Sequence, residues 1–293
     1  MSNSFFTWLV TPLKGKGLRK YKVVRFALTL TRPRTVSING LTLFVDRSDA
    51  VITGQLTNGA YEPLETDIIS KLVQPGFTIL DIGANIGYYT TLLSRKTGDT
   101  GGVHAFEPFP QSAALLMKNL AVNNCTNVVV HQIALSREKG EKDLYLNGYN
   151  TGDNRLYASE GMNHIAVRTD RLDDVLPPGV SVDLIKMDIQ GSEWNALQGM
   201  AQTLAAHQPL LISEFWPLGL LRAGGSARVM LEFLEGLGYA FIEINEGAHS
   251  YKATSMEMLL TEYPETKEAF TNILCVPKGD SISRVLSLLD AVV

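Results

Sequence analysis

The stretch Ile79–Gly87, with the sequence Ile-Leu-Asp-Ile-Gly-Ala-Asn-Ile-Gly, constrains the fold more than any other part of this chain. An apolar run reaches an acid and then passes three turn-prone residues, Gly83, Asn85 and Gly87. This pattern is typical of a buried strand that turns tightly into a helix. The helix is predicted to begin near Tyr88, and its unpaired N–H groups and positive dipole end would face a negative group held in the turn. The first hypothesis is therefore a nucleotide-like ligand.

Strands and helices alternate along the chain after this stretch. Apolar runs predict four further strands, at 103–106, 128–133, 182–187 and 210–214. The segments between them have helical spacing, and the last of these helices, which precedes the strand at 210–214, is predicted at 193–204. Alternation of this kind predicts crossover connections and a parallel sheet, which two β-rich segments near the end would close. The predicted fold class is α/β, with a doubly wound, mostly parallel sheet and an antiparallel closing strand.

Shorter elements are predicted on either side of the central stretch. Asn39-Gly40 is a favoured two-residue turn, and alternating apolar residues around it predict a hairpin at 36–46. Apolar residues at helical spacing predict a helix at 65–73 that leads into the central strand. Tyr61-Glu62, just before this helix, is expected to close over the ligand. The region rich in asparagine around 147–154 is expected to be a loop or a hairpin.

Charge is distributed unevenly along the 293 residues. Residues 1–45 carry eight of the 26 bases and no acid, which leaves 18 bases against 30 acids, a net charge of −12, for the rest. We therefore expect a basic N-terminal extension over residues 1–45, including the start of the hairpin, and a single catalytic domain over 46–293. A basic arm on an acidic body could dock on an anionic membrane surface, an acidic carrier protein or a nucleic acid, or could simply be solvated.

The cysteine content and the apolar runs indicate a compartment. Cys125 and Cys275 are the only cysteines and lack the spacing of metal ligands, so neither a disulfide framework nor a structural zinc site is expected. No apolar run reaches 18 residues, which predicts no transmembrane helix. The aromatic residues of segment 5–9 beside the basic run could lie in a membrane interface. A cytoplasmic protein, peripheral to a membrane if the arm docks there, is the expectation.

Two acids refine the hypothesis of a nucleotide-like ligand. The turn lacks the Gly-x-Gly-x-x-Gly spacing that lets a pyrophosphate approach the backbone. Asp81, two residues before Gly83, could accept a hydrogen bond from a cationic ammonium group, which suits an amino-acid tail better than a phosphate. Glu107 ends the next strand, where a carboxylate can accept both hydroxyls of a ribose. Together these features predict a pocket for S-adenosylmethionine.

Three blocks of sequence in order, Pro75–Gly87, Ala105–Pro108 and Ile185–Glu193, resemble the FkbM-type S-adenosylmethionine-dependent methyltransferases. The likeness covers about residues 55–276. It implies a class I, Rossmann-like methyltransferase sheet and O-methylation of a small-molecule, sugar or natural-product hydroxyl. The family often has Glu where this chain has Gln190. The cofactor-binding residues that the resemblance implies surround the methionine tail, the ribose and the adenine: Asp81, Gly83, Ala84, Asn85 and Gly87, then Glu107 and Pro108, then Phe109, Ile133 and Ala134, with Asp188 also at the cofactor.

A hydroxyl acceptor is a poor nucleophile until it loses its proton, so a general base or a divalent cation is expected. Asp188 and Glu214 end two neighbouring predicted strands, at the edge where ligands bind in open sheets. These two acids are predicted to share Mg²⁺ or Mn²⁺, or one of them to act as the base. His249, in a polar loop, is the histidine candidate for that base. Lys186, inside an apolar strand, is expected to pair with an acid such as Asp188.

Two other functions remain open at this point. The basic arm raises the possibility of an N-methyltransferase that acts on another acceptor such as a nucleic acid. No Asn/Asp-Pro-Pro-aromatic block follows the fourth strand, where Asp188-Ile189-Gln190-Gly191 stands instead, so a nucleic-acid partner is not expected. The other alternative is a binding module that keeps the fold without catalysis. A small-molecule or saccharide acceptor is the expected partner.

Overall fold

The computed structural model of the protein describes residues 29–59 and 61–291. Its thirteen described strands form a hairpin, a central sheet and a small side sheet. In chain order they are β1 (Thr35–Ile38), β2 (Leu41–Phe44), β3 (Thr78–Ile82), β4 (Gly102–Phe106), β5 (Val128–His131), β6 (Ala134–Leu135), β7 (Gly140–Leu146), β8 (Asn163–Asp170), β9 (Leu184–Met187), β10 (Leu210–Phe215), β11 (Ala240–Asn245), β12 (Ser250–Thr254) and β13 (Thr271–Val276).

Eleven α-helices accompany these strands in the described part of the chain from residue 52 onward. They are α1 (Ile52–Thr57), α2 (Pro63–Leu72), α3 (Tyr88–Thr97), α4 (Pro110–Val122), α5 (Leu172–Val175), α6 (Glu193–Gln198), α7 (Ala201–His207), α8 (Pro217–Arg222), α9 (Ala227–Gly236), α10 (Met256–Glu262) and α11 (Ile282–Asp290).

The central sheet has eight strands in the spatial order β12-β11-β13-β10-β9-β3-β4-β5. The run from β10 to β5 is parallel, and β13 pairs antiparallel with both β10 and β11. From β3 the chain first builds outward to β4 and β5, then crosses back to place β9 on the other side of β3. The strand order therefore reverses between β3 and β9, and ligands bind at the carboxyl ends of strands at such a switch point.

Apolar side chains cover both faces of the central sheet. Ile79 faces one apolar cluster, which includes residues of α2, α3 and α11, and Leu80 faces another, which includes residues of α6, α7 and α9. Successive residues of a strand point to opposite faces, so a strand buried on both faces needs a continuous apolar run. The sheet is thus doubly wound, as the sequence predicted.

The predicted helix at 193–204 is wrong as a single element, because the chain leaves the helical path at Gly199-Met200 between α6 and α7. A Cβ atom at Gly199 would lie 2.0 Å from the Ser136 carbonyl oxygen, so the backbones pass too closely for any side chain. The region around 147–154, predicted as a loop or a hairpin, is part of the loop that connects β7 to β8, with a short 3₁₀ turn at Thr151–Asp153. Strands β7 and β8 pair antiparallel and form the side sheet with β6.

The N-terminal hairpin forms as predicted, with its turn at Asn39-Gly40. Leu41 and Leu43 of β2 belong to the same apolar cluster as Ile79, so the hairpin packs into the core of the central sheet. Most of the predicted basic arm, residues 1–28, lies outside the described residues. Within residues 29–59 and 61–291, no helix is long and apolar enough to cross a membrane.

Candidate active site

The acid of the central stretch, Asp81, is buried within β3. Its Oδ2 atom accepts a hydrogen bond from Thr90 Oγ1 at 2.5 Å, whereas Oδ1 is buried without a partner among the described residues. Burial raises the pKa of the Asp81 carboxyl above its ordinary value, partly opposed by the positive charge of Lys186. A buried carboxylate oxygen without a donor carries a large desolvation cost, so this atom is suited to a cationic ligand.

The turn after β3 depends on Gly83, which has a φ of +87°. A Cβ atom there would lie 2.0 Å from the Asp188 carbonyl oxygen, so glycine is what lets the turns after β3 and β9 meet. Gly87 has a φ of +86°, and a Cβ atom there would lie 2.3 Å from Leu116 Cδ1 of α4. Gly83 therefore shapes the site, whereas Gly87 allows α3 and α4 to pack closely.

The carboxylate of Glu107, which follows β4, is held by backbone donors. Asn85 N donates to Oε2 and Phe109 N donates to Oε1, both at 2.8 Å. Burial raises the pKa of Glu107 to about 7, against the lowering effect of these two hydrogen bonds. Two fixed donors leave each oxygen with one lone-pair direction for a ligand.

These residues line one cleft of about 890 Å³, which is called the main cleft below. Nine of the predicted cofactor-binding residues lie in its wall: Asp81, Gly83, Ala84, Asn85, Glu107, Pro108, Ile133, Ala134 and Asp188. Gly87 and Phe109 are not among the lining residues. Phe109 instead packs against the apolar cluster of Ala134 and Leu144. The wall also includes Tyr61, which packs edge-on against Tyr88 with ring centroids 5.1 Å apart.

Lys186 is the one buried cation that lines the main cleft in the described part of the chain. Its Nζ atom lies 3.5 Å from Asp188 Oδ2, as the sequence predicted, and 4.7 Å from the centroid of the Tyr89 ring. Burial alone would lower the pKa of this ammonium, but nearby carboxylates, foremost Asp188 and Glu65, outweigh burial and raise it. Lys186 therefore stays charged and balances part of a strongly acidic site.

The acids that surround Lys186 include two from the start of α2. Glu62 accepts a hydrogen bond from Tyr89 Oη at 2.9 Å, and Glu65 is fully buried, with a pKa raised to about 8 by burial. The backbone N–H groups of Leu64 and Glu65 donate to the Glu246 carboxylate, 3.0 Å in each case. Sequence reasoning missed Glu65 and Glu246, because their contacts join segments that are about 180 residues apart.

Gln190 joins the two acids predicted to bind a metal or to act as a base. Its Nε2 atom donates to Asp188 Oδ1 at 2.8 Å and reaches both carboxylate oxygens of Glu214 at 3.2 Å. Burial, then the charge of Asp188, raises the pKa of Glu214 well above its ordinary value. Glu214 is not among the residues that line the main cleft, and an amide donor lies between the two carboxylates. The described residues contain no group of three or more His, Cys, Asp or Glu side chains placed to hold a metal.

The structure does not bring His249 to the other predicted residues. It lies in the exposed turn between β11 and β12, with a φ of +51°. Strand β11 is four positions from β3 in the sheet, about 19 Å at the usual strand spacing. His249 is not among the residues that line the main cleft, and its role as a base stays a prediction.

A comparison with known families decides the class of protein. Residues 81–241, more than half of the chain, match the family described as the methyltransferase FkbM domain. The chain belongs to the FkbM methyltransferase family. The match begins at Asp81 and includes the strands that form the switch point, so the resemblance noted in the sequence is confirmed.

Similar proteins include two named methyltransferases and one solved structure. The chain is 29% identical over 144 residues to methyltransferase 1 of Beauveria bassiana, and 31% identical over 157 residues to the 2-O-methyltransferase NoeI of Sinorhizobium fredii. The matches cover 42% and 47% of this chain, and 57% and 63% of those relatives' lengths. A methyltransferase FkbM structure from Methylobacillus flagellatus is 16% identical, with a TM-score of 0.44, over 87% of this chain and 59% of that one.

Proposed function

We propose that this FkbM-family protein is an S-adenosylmethionine-dependent O-methyltransferase that acts on a hydroxyl group of a small molecule, a sugar or a natural product. The observation that carries the proposal is the buried, unpartnered Oδ1 atom of Asp81, in the same cleft as the Glu107 carboxylate. One carboxylate suits an ammonium group and the other suits a pair of ribose hydroxyls. S-adenosylmethionine presents both groups.

The main cleft fits this cofactor along its length. Asp81 would accept from the ammonium of the methionine tail, and the turn at Gly83 and Ala84 would pass beside that tail. Glu107 would accept from the ribose hydroxyls, since its two backbone donors fix the carboxylate in place. Ile133 and Ala134 offer an apolar wall for the adenine. The acidic surroundings of Lys186 match a cofactor that carries a net positive charge.

The bound cofactor supplies a methyl group on a sulfonium sulfur, which passes to a nucleophilic oxygen held in line with it. Asp188 is the acid placed to take the proton of that oxygen, because it lines the main cleft, where its Oδ2 atom lies 3.5 Å from Lys186 Nζ. Gln190 fixes the orientation of this carboxylate through Oδ1. Glu214 does not line the main cleft and accepts from Gln190 Nε2, so it serves to position Gln190. Metal binding by Asp188 and Glu214 would show as loss of activity on chelation.

The choice of oxygen as the acceptor atom draws support from a relative. One of the similar proteins is named a 2-O-methyltransferase, and the carboxylate chemistry at Asp188 fits the removal of a hydroxyl proton. A screen of hydroxylated sugars, polyketides and peptides for methyl transfer would identify the acceptor.

Calorimetric titration with S-adenosylmethionine tests the proposal. We expect the wild-type protein to bind, and Asp81→Asn to weaken binding about tenfold or more, because a charge-assisted hydrogen bond to the ammonium is lost. Asp99→Asn removes an exposed acid in the turn after α3 and should leave binding unchanged. Failure of the wild-type protein to bind S-adenosylmethionine would refute the proposed methyltransferase activity. Binding without methyl transfer to any acceptor would favour the non-catalytic alternative.

A further inference from the structure

A second cavity of about 560 Å³ lies beside the main cleft, and it is called the side pocket below. Its wall is formed by the end of the side sheet, the start of α6 and the turn after α8. The lining residues are Arg137, Lys142, Leu156, Ser192, Asn195, Ala223 and Gly224. The pocket thus combines two cations with two neutral polar side chains.

Three segments of the chain join the side pocket to the main cleft. Leu156 lines both cavities. On β7, Leu144 lines the main cleft and Lys142 lines the side pocket, and residues two apart on a strand share one face. In the turn after β9, Gln190 lines the main cleft and Ser192 lines the side pocket. The side pocket therefore adjoins the part of the main cleft near Gln190.

The side pocket is electropositive within a molecule whose net charge is −4. None of its lining residues is acidic. Lys142 Nζ donates to Ser136 Oγ at 3.1 Å, which uses one of its three donors. Arg137 lies 3.6 Å from Glu138, but both side chains are more than half exposed, and such a pair holds its partners weakly. Both cations keep donors for an anionic ligand.

We infer that the side pocket binds an anionic group of the methyl acceptor, a phosphate, sulfate or carboxylate, while the hydroxyl of the same molecule reaches Asp188 in the main cleft. The inference rests on the proposed function and narrows its acceptor to a hydroxylated anion. Arg137 offers planar, two-pronged binding of an oxyanion, and Lys142, which contacts Ser136 next to Arg137, offers a point charge beside it. Neutral sugars and polyketides would lack this contact.

Calorimetry at constant ionic strength tests the site with three probes: inorganic phosphate, sulfate and benzoate. The protein is first saturated with S-adenosylmethionine, so that the same sample reports on the cofactor site. We expect wild-type protein to bind at least one probe, and the double variant Arg137→Gln/Lys142→Gln to bind it about tenfold more weakly or worse. The preferred probe tells whether the acceptor carries a phosphate, a sulfate or a carboxylate.

A control variant removes the same charge from another surface. Arg284→Gln/Lys278→Gln neutralises two exposed cations beyond the amino edge of the sheet, and it should bind the probe as wild type does. Equal affinity of the side-pocket variant and the control, or no binding of any probe by the wild-type protein, would overturn the inference. Failure of the wild-type protein to bind S-adenosylmethionine in the first titration would instead refute the proposed function, so the two failures are distinguishable.

A paired acceptor series supplies the second readout. Methyl transfer to 4-hydroxybenzoate is compared with transfer to 4-hydroxybenzyl alcohol, and transfer to glucose 6-phosphate with transfer to glucose. If an anionic member is methylated, we expect the side-pocket variant to raise its KM about tenfold and to leave the KM for its neutral partner unchanged. Preference for the neutral members by wild type would contradict the inference.

Discussion

At the scale of single residues, Gly83 combines an unusual backbone conformation with a contact that leaves no room for a side chain. Its φ is +87°, and a Cβ atom would lie 2.0 Å from the Asp188 carbonyl oxygen. Gly179 offers a natural comparison, because its φ is +84° but a Cβ atom there would meet nothing within 4 Å. The two glycines separate the cost of conformation from the cost of contact.

Gly83→Ala should therefore lower the free energy of unfolding by about 3 kcal/mol or more, because conformational strain adds to a backbone collision. Gly179→Ala should lower the free energy of unfolding by only about 1 kcal/mol, because only the positive φ is unfavourable for alanine there. Urea unfolding of both variants gives the comparison. Equal losses would show that the turns after β3 and β9 can separate freely, which would contradict their close approach.

Glu107 makes the affinity for the cofactor depend on pH. Burial raises its pKa to about 7, so the carboxyl is ionised above that value and increasingly protonated below it. A protonated carboxyl is a poorer acceptor for ribose hydroxyls. We expect the affinity for S-adenosylmethionine to fall as the pH drops from about 8 to about 6, by at most about tenfold per unit.

The Glu107→Gln variant provides the check on this pH dependence. It should bind the cofactor more weakly than wild type at high pH, and its affinity should change less over the same range. Calorimetric titrations at several pH values measure both slopes. A slope in the variant as steep as in the wild-type protein would assign the titration to another group, such as Asp81 in the same cleft.

The sequence predicted the acids of the site better than their partners. Asp81 and Glu107 were found because each stands at a fixed place relative to a strand end, which is a local signal. Glu65, Glu246 and the bridging amide of Gln190 carry no such signal, since their contacts exist only once distant segments meet. Gly87 was assigned to the ligand because a turn glycine has the same signature whether it faces a ligand or Leu116 of a neighbouring helix.

At the scale of elements, Asn119 of α4 and Asn123, which follows the last residue of α4, hold the N-terminal hairpin in place. Asn119 accepts from Phe44 N at 2.6 Å and donates to Phe44 O at 3.0 Å and to Ile86 O at 2.7 Å. Asn123, one turn later, makes a similar pair with Thr42. The two amides take the place of a neighbouring strand along β2, and Asn119 also ties the hairpin to the turn after β3.

Asn119→Ala should lower the free energy of unfolding by about 2–4 kcal/mol, because it removes the partner of one buried and two partly buried backbone groups. Val122→Ala, an exposed position of the same helix, should cost less than about 1 kcal/mol. Thermal and urea unfolding measure both changes. Asn119→Ala should also weaken cofactor binding through Ile86, and a stable variant with normal binding would separate the hairpin from the site.

Local patterns explain which elements the sequence revealed. The hairpin has an Asn-Gly turn, and the strands of the sheet have continuous apolar runs, so both signals lie within a few residues. The hydrogen bonds from Asn119 and Asn123 to β2 join residues that are 75 and 81 positions apart. The helix breaks at Gly199 because the backbone at Ser136 passes too close for a side chain. No periodicity within one segment encodes such contacts.

At the scale of the whole molecule, one reversal of strand order organises the site. It brings the carboxyl ends of β3, β4 and β9 to one crevice, so that Asp81, Glu107 and Asp188 line a single cleft. The sequence predicted this convergence because alternating strands and helices leave few possible topologies. The sequence could not predict which residues near the crevice would contact the methyl acceptor. Those residues come from β6 to β8 and from the turn after α8, which have no regular sequence pattern and join the site only in the folded chain.

Positive and negative charges are concentrated in different parts of the molecule. Residues 1–28 hold six of the eight bases of the N-terminal segment, whereas the chain after residue 45 has a net charge of −12. We propose that this arm docks the protein on an anionic membrane surface, with its aromatic residues 5–8 at the interface. Each base near such a surface contributes about 1 kcal/mol, so six of them suffice for measurable binding at about 0.1 M salt.

A variant in which these six bases are replaced by glutamine should lose its binding to vesicles that contain phosphatidylserine, and it should keep its affinity for S-adenosylmethionine. Wild-type protein should bind such vesicles and should not bind neutral phosphatidylcholine vesicles. Raising the salt concentration should release the bound protein, because salt screens the attraction. Sedimentation of protein with vesicles measures the bound fraction. Binding that survives the loss of all six bases would assign the attraction to the aromatic residues. Failure of the wild-type protein to bind would contradict membrane docking and would leave an acidic carrier protein, or simple solvation of the arm, as the alternative.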